Sequence, residues 1–308
     1  MLFINKLLSN VGLIDSEETN YSIACISTSR PIYLVFDKNS GYPIYVVRKA
    51  DDRAALQSHN IHTRLYKLVG NLVPQPIGLY EFSGKKYDIQ RGVKGAPWFQ
   101  LKSRIYTEEA RTQLEIRIWQ TLEKFQAAIH SESKNEIKNL QPHQELRKVR
   151  EAYQSSREIL SVKLEKLVER AVYDLSRSPT CPSIPQHGDF CLNNLIVDTN
   201  HITVIDFEDF SITNMPMYDH FTLALSLPSC SDEPDMAAAT FKQASIVGAA
   251  RTLGIPEDIV RWHFLHHLLL RLGPWSSGEK RAPYRAWLQK VLNRFIEDQV
   301  KFNQLANH

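Results

Sequence analysis

Residues 185–210 read PQHGDFCLNNLIVDTNHITVIDFEDF, and this stretch decides how the rest of the chain is read. The apolar runs Leu195-Ile196-Val197 and Ile202-Thr203-Val204-Ile205 have the length and β-branched content of two short strands. Asp198-Thr199-Asn200-His201 between them favours a turn, so the pair is expected to close as a hairpin. Polar side chains bracket it: His187, Asp189 and Asn194 stand before the first strand, Asp206 and Glu208 after the second. A hairpin lays those two ends side by side, so Asp189, Asn194 and Asp206 are expected to converge. Asp and Asn oxygens are the hard ligands that Mg2+ takes. A further carboxylate beside them can accept the proton of an attacking hydroxyl. A positioned base and metal-neutralised phosphates are what phosphoryl transfer requires of a protein.

The spacing His187-Gly188-Asp189, then Asn194, then Asp206-Phe207-Glu208 is that of a kinase catalytic loop and its metal-binding motif. With Gly188 after the histidine and Glu208 after the phenylalanine, it resembles the aminoglycoside phosphotransferase and choline kinase-like family of small-molecule kinases. Further segments are similar to that family's pattern and follow its order: Val73-Pro74-Gln75-Pro76, Ile89-Gln90-Arg91-Gly92-Val93-Lys94-Gly95, Phe125-Gln126-Ala127-Ala128-Ile129-His130-Ser131 and Pro216-Met217-Tyr218-Asp219. The resemblance implies a bilobal, protein-kinase-like α+β fold. Its small β-rich N-lobe, 1–92, would bind the nucleotide. Its larger, mainly helical C-lobe, 93–308, would carry the catalytic loop and the acceptor site. It also implies ATP or GTP with Mg2+, and transfer of the γ-phosphate to a hydroxyl of a small molecule. By position, Asp189 is the expected catalytic base, Asn194 and Asp206 the expected magnesium ligands, and His187 a brace for the loop. Gln90 and Gly92 fall in the hinge, where backbone groups meet the purine edge. Glu208 replaces the protein-kinase glycine, which makes a peptide flip at this motif less available.

The patterning elsewhere agrees. Residues 22–27, 32–37 and 43–49 are rich in Ile, Val and Tyr and are separated by turn-prone stretches, the mark of an antiparallel meander. A helix is expected over 52–69, ending near Gly70, then strands at 77–82 and 86–90 joined at Ser83-Gly84. From 108 to 130, Leu114, Ile118, Leu122, Phe125 and Ile129 repeat at helical spacing. Leu160, Leu164, Leu167, Ala171 and Leu175 repeat likewise, and the polar stretch 131–147 between them is expected to be exposed. Helices are expected over 235–253, 256–272 and 283–305.

Two N-lobe positions depart from the kinase pattern. The loop Ser27-Thr28-Ser29-Arg30 has no glycine, so Ser29 is the expected phosphate-side contact, through its hydroxyl and backbone. The third strand ends Val47-Arg48-Lys49, and alternation sends one of Arg48 and Lys49 toward the phosphates. The small-molecule kinase pattern favours Arg48 and the protein-kinase pattern Lys49. Residues 54–69 contain no Asp or Glu, and His62 stands near the place of the helix glutamate that would pair with that cation.

Composition narrows the class. Lys and Arg number 37 against 34 Asp and Glu, a net charge of +3, with 43% hydrophobic and 23% charged residues. That is the balance of a folded globular chain and lacks the basic excess of a nucleic-acid binder. No run approaches a membrane span, and MLFINKLLSN does not read as a signal peptide. Cys25, Cys181, Cys191 and Cys230 are far apart with no CxxC pair, so neither a zinc site nor a disulfide scaffold is expected, and the setting is read as reducing and cytoplasmic. His263, His266 and His267 share a helix face, but no HExxH accompanies them, and core or pocket-lining positions are expected. Trp262, Trp275 and Trp287 are expected to pack the helical lobe.

From 231 to 308 there are eight acidic and ten basic residues, which does not favour a polycationic acceptor. The acceptor classes left open are a sugar, an amino sugar, an amino alcohol or an aminoglycoside-like molecule, with neutral or zwitterionic ones favoured. Two alternatives stand beside a small-molecule kinase. One is an inactive kinase fold used for binding. The other is a protein kinase, disfavoured by the short span from Asp206 to Asp219.

Overall fold

The chain opens with a helix that the sequence reading did not assign, α1 (Leu2–Asn10). Its Ile4, Leu7 and Leu8 follow helical spacing and are fully buried. They cover one face of a five-stranded antiparallel sheet, against Val35, Tyr45, Val47, Tyr87 and Ile89. The strands are β1 (Tyr21–Cys25), β2 (Ile32–Asp37), β3 (Tyr45–Lys49), β4 (Pro76–Phe82) and β5 (Lys85–Arg91), in the order β1-β2-β3-β5-β4. Between β3 and β4 runs α2 (Arg53–Val69), capped by Asp52, whose carboxylate accepts from Ala55 N at 2.7 Å, and closed by Gly70 at φ 58°. The elements expected in this region are all present, within a residue or two.

The structure, a computed structural model, describes residues 2–15, 21–26, 31–101, 105, 107–133, 139–155, 161–273 and 282–303. The chain divides into two compact units, Met1–Ala128 with Asn193–Glu208, and Ile129–Leu192 with Asp209–His308. After β5 come β6 (Ala96–Pro97), α3 (Trp98–Leu101) and α4 (Glu108–Ser133). Next are β7 (Asn139–Leu140), α5 (Pro142–Ser155), α6 (Val162–Ser176) and β8 (Cys181–Pro182). The expected hairpin follows as β9 (Leu195–Val197) and β10 (Ile202–Val204), paired Val197 to Ile202 and Leu195 to Val204. It belongs to the first unit, where β6 extends it to a three-stranded sheet. The remaining helices are α7 (Tyr218–Ser226), α8 (Pro228–Ser231), α9 (Ala244–Thr252), α10 (Val260–Leu272) and α11 (Ala282–Glu297). Among the described residues no helix is long and apolar enough to cross a membrane.

Three expectations fail in the second unit. The helix expected over 283–305 ends at Glu297 and is followed by a separate 3-10 turn, Lys301–Asn303. The stretch 131–147 is expected to be exposed, but α5 begins inside it and buries Pro142, Leu146, Val149 and Tyr153. Four apolar residues among many polar ones suffice because they share one helical face. The single helix expected over 235–253 is a 3-10 run, Pro234–Lys242, followed by α9. Ala237 and Thr240 are buried three apart, which matches the tighter 3-10 period, and Gln243 between the elements is extended. At the centre lies α10, buried on nearly every side, with Phe264 packed against Phe221, Phe241, Phe295 and Phe302. Trp262 packs there too and donates its ring N–H to Asp174 at 3.0 Å. Trp275 lies outside the described residues.

Candidate active site

In the first unit the hairpin sets two of the expected residues side by side. Asn194 stands one residue before β9 and Asp206 two after β10, and the Asn194 carbonyl accepts from Ile205 N at 2.9 Å. Asp206 adopts the left-handed conformation, φ 67°, which Asp and Asn tolerate better than other side-chain-bearing residues. A residue held there stores strain that the surrounding pairing must offset. Among the described residues no group of three or more His, Cys, Asp and Glu could hold a metal. Asn194 and Asp206 supply an all-oxygen donor pair of the kind Mg2+ accepts when phosphates complete its shell.

Sheet alternation decides between Arg48 and Lys49 as far as placement goes. Tyr45, Val47 and Lys49 share the face covered by α1, and Lys49 is exposed and paired with Asp51 at 2.7 Å. Arg48 is on the opposite face, directly across from Asp88 of β5. Asp88 and Gln90 share that face and are buried. His59 and His62 reach it from α2. His59 Nδ1 lies 2.6 Å from Asp88 Oδ1. His62 Nε2 lies 2.7 Å from Pro74 O, and its ring stacks on Phe207, centroids 5.2 Å apart. Burial lowers the His62 pKa, so this imidazole is neutral and does not supply the charge of a helix glutamate. The carboxylate nearest in register to Arg48 is on β5 instead. Arg48 makes no ion pair among the described residues, and its buried Nε has no hydrogen-bond partner there.

At the segment expected to form the hinge, Arg91 N donates to Gln75 O and Gly92 N to Ile44 O, both at 2.8 Å. A Cβ at Gly92 would stand 1.6 Å from the Pro43 carbonyl oxygen, so the close backbone crossing alone demands glycine. Ser29 lies outside the described residues.

The second unit holds the loop Gln186–Leu192. Gly188 adopts φ 88°, and a Cβ there would meet Asp209 O at 2.2 Å. Asp219, at the start of α7, accepts from the N–H groups of His187 at 2.6 Å and Gly188 at 3.0 Å, while its own N–H donates to Gln186 Oε1. Burial pushes the Asp219 pKa up to about 7, against the two backbone donors and Arg271, which favour the charged form. Asp189 accepts at Oδ1 from Arg271 Nη2 of α10, 2.8 Å away. His187 is buried and meets Phe190 edge-on at 5.7 Å. His263, His266 and His267 are core residues, as expected: all are buried, and His267 packs on Tyr218 at 4.7 Å. A polar cavity of about 440 Å³ elsewhere in this unit is lined by Asn139, Gln144, Ser183, Ser211 and Asn214, and none of the sequence-assigned site residues reaches it.

Residues 27–254 match the model of the phosphotransferase enzyme family. The chain belongs to that family. A search of curated protein sequences finds no match. Among solved structures the fold is similar to a thermostable mutant of aminoglycoside phosphotransferase APH(4)-Ia in a ternary complex with ADP and hygromycin B, at 13% identity and TM-score 0.57, covering 96% of this chain and 98% of that one. It is similar to macrolide 2'-phosphotransferase MphH from Brachybacterium faecium, at 17% identity and TM-score 0.58, covering 94% and 97%. It is also similar to choline kinase from Cryptosporidium parvum Iowa II, at 15% identity and TM-score 0.55, covering 97% and 98%. The fold of this phosphotransferase-family chain is therefore the protein-kinase-like α+β fold that the sequence resemblance implied. Sequence reading missed Arg271, because no pattern in 260–272 marks one buried cation among the leucines and histidines.

Proposed function

We propose that this phosphotransferase-family chain transfers the γ-phosphate of ATP or GTP to a hydroxyl of a small neutral or zwitterionic acceptor. In this reading residues 1–92 form the nucleotide-binding lobe and residues 93–308 carry catalysis and the acceptor. The observation that carries it is the hydrogen bond from Ile205 N to Asn194 O at the hairpin end, which brings Asn194 beside the residue preceding Asp206, where the family pattern puts the metal ligands. Asn194 and Asp206 would hold Mg2+, which neutralises phosphate charge when bound. Arg48, on the α2 face with an unsatisfied Nε, would contact phosphate oxygens, while Lys49 is committed to Asp51. The hinge would meet the purine through carbonyls around Gln90 and Gly92, since the Arg91 and Gly92 N–H groups are already used. Asp189 would accept the acceptor hydroxyl's proton as the new oxygen–phosphorus bond forms. Its charge is matched by Arg271, which lessens the attraction of this site for a polycation. The test is a panel of sugars, amino sugars, amino alcohols and aminoglycosides with Mg-ATP and Mg-GTP, read by nucleoside diphosphate release and by melting temperature. Acceptor-dependent release is expected with one class. No release, together with no nucleotide-dependent melting shift at millimolar concentration, overturns the reading.

A further inference from the structure

Arg271, in the last turn of α10, is 1% exposed, and a guanidinium buried so deeply needs an explanation. Stability does not provide one, because desolvation largely offsets the attraction within a buried ion pair. Its partner Asp189 keeps 22% of its side chain exposed, so that carboxylate does not need the arginine to replace water. What the pair supplies is geometry. Arg271 Nη2 donates to Asp189 Oδ1 at 2.8 Å and to Thr222 Oγ1 at 3.1 Å, and the Tyr218 ring centroid lies 5.6 Å from its Cζ. The Thr222 hydroxyl is itself fixed, donating to Tyr218 O at 3.1 Å.

Thr222 is one of three polar residues on a single face of α7, at positions i, i+3 and i+7. Each meets the loop at a different point. Asp219 accepts from His187 and Gly188 N–H, Thr222 acts on Asp189 through Arg271, and Ser226 Oγ accepts from Leu192 N at 3.1 Å. The rest of α7, His220 included, is buried, so this face forms a mount for the loop from one end to the other.

We propose that Arg271, seated on this face of α7, is the positioning residue for Asp189, fixing Oδ1 so that the carboxylate meets the acceptor hydroxyl in one orientation. This rests on the reading of Asp189 as the base. In the step it serves, the acceptor O–H bond breaks and its proton passes to Asp189. The acceptor oxygen bonds to the γ-phosphorus, and the bond from that phosphorus to the bridging oxygen breaks, releasing nucleoside diphosphate. Arg271 stays charged throughout and exchanges no proton.

The test compares Arg271→Met, Arg271→Lys and Thr222→Val with wild type, using the acceptor found in the panel. Methionine fills much of the arginine's volume, and the partly exposed Asp189 remains in reach of water, so a folded variant is expected, checked by an unchanged melting shift with Mg-nucleotide. Arg271→Met should lower kcat about a hundredfold, the scale of a misplaced reacting group, with KM for nucleotide unchanged. Arg271→Lys should recover part of that loss, since an ammonium keeps the charge but not the planar fork. Thr222→Val, which leaves Arg271 in place but unseated, should lower kcat less than Arg271→Met, and it decides the matter if Arg271→Met does not fold. Wild-type kcat in the variants, or a loss confined to KM, overturns the proposal while leaving Asp189 as the base. A wild-type protein that transfers phosphate to nothing overturns the reading and the proposal together.

Discussion

The loop Gln186–Leu192 and the hairpin Asn194–Asp206 adjoin in sequence, yet they are held by different means. The hairpin closes on itself: β9 pairs with β10, and the Asn194–Ile205 hydrogen bond follows from that register. The loop is gripped by side chains from far along the chain, Asp219 at a separation of 32 residues and Arg271 at 82. Even its main chain leans outward, with Ser211 N donating to Gln186 O and Gln186 N to Thr213 O. Asn194 and Asp206, the proposed metal pair, are thus placed by local pairing, whereas Asp189, the proposed base, is placed by two helices that must already be packed. Changes at the hairpin should therefore act directly on chemistry, and changes around the loop should act through placement.

The largest effect is expected at Asp206. Asparagine tolerates its left-handed backbone, so Asp206→Asn removes charge without adding strain. Turnover should fall by more than about a thousandfold, consistent with several kcal/mol of lost charge stabilisation. A magnesium titration of nucleotide binding should shift to weaker affinity. Asp189→Asn should cost at least about a hundredfold in turnover with the magnesium dependence unchanged. If both variants alter the magnesium dependence equally, the division between metal pair and base is wrong. Asn194→Ala should weaken the magnesium dependence less than Asp206→Asn, because water can replace a neutral ligand.

The same contrast explains what could be read from sequence. Strand alternation and a turn are local signals, so the hairpin, the strands of the five-stranded sheet and the approach of the two hairpin ends were legible in 185–210 and 22–90. The choice between Arg48 and Lys49 stayed open in the sequence, because it needs the strand register that sets Arg48 across from Asp88. Arg271 was not legible, since its meaning comes from Thr222 and Asp189, 49 and 82 residues away. Helix α1 escaped because a nine-residue amphipathic stretch carries no cap signal and acquires its role only when the sheet face exists to bury it. Helix α5 escaped because four buried residues among polar ones raise little contrast along the chain.

A smaller effect separates two glycines. Gly84, in the β4–β5 turn, has φ 69° with nothing within 4 Å of a built Cβ, whereas Gly188 has φ 88° and would press Cβ to 2.2 Å from Asp209 O. Gly84→Ala should cost only the left-handed penalty, about 1–2 kcal/mol. Gly188→Ala should cost more, because the 186–190 and 209–213 backbones must part. Equal melting temperatures for the two variants would show that the loop yields locally and is not clamped as described.

The smallest effect concerns acid, and it tests whether the helical unit that mounts the loop is also the part that fails first as pH falls. Burial depresses the pKa of His220 and His263 to about 4 and of His266 to about 3, and it holds His267 well below 6.5. Each of these imidazoles is neutral in the folded unit and takes a proton only on unfolding. Between pH 6.5 and about 4 the unfolded chain therefore binds more protons at these histidines, so their contribution to stability falls as pH falls through that window and levels off above it, while Asp219, raised to about 7, contributes with the opposite sign. Both ring nitrogens of His266 lack a hydrogen-bond partner among the described residues, so phenylalanine there removes the titration without removing a described bond. His266→Phe should match or exceed wild-type stability at pH 7.5. Its loss of stability between pH 7.5 and 5 should be smaller than that of wild type, by the equivalent of one proton in slope. Denaturant unfolding at the two pH values measures both quantities. An unchanged slope would mean that His266 takes its proton as readily in the folded chain as in the unfolded one, and at pH 5 the helix behind Asp189 would then carry a charge among its apolar neighbours.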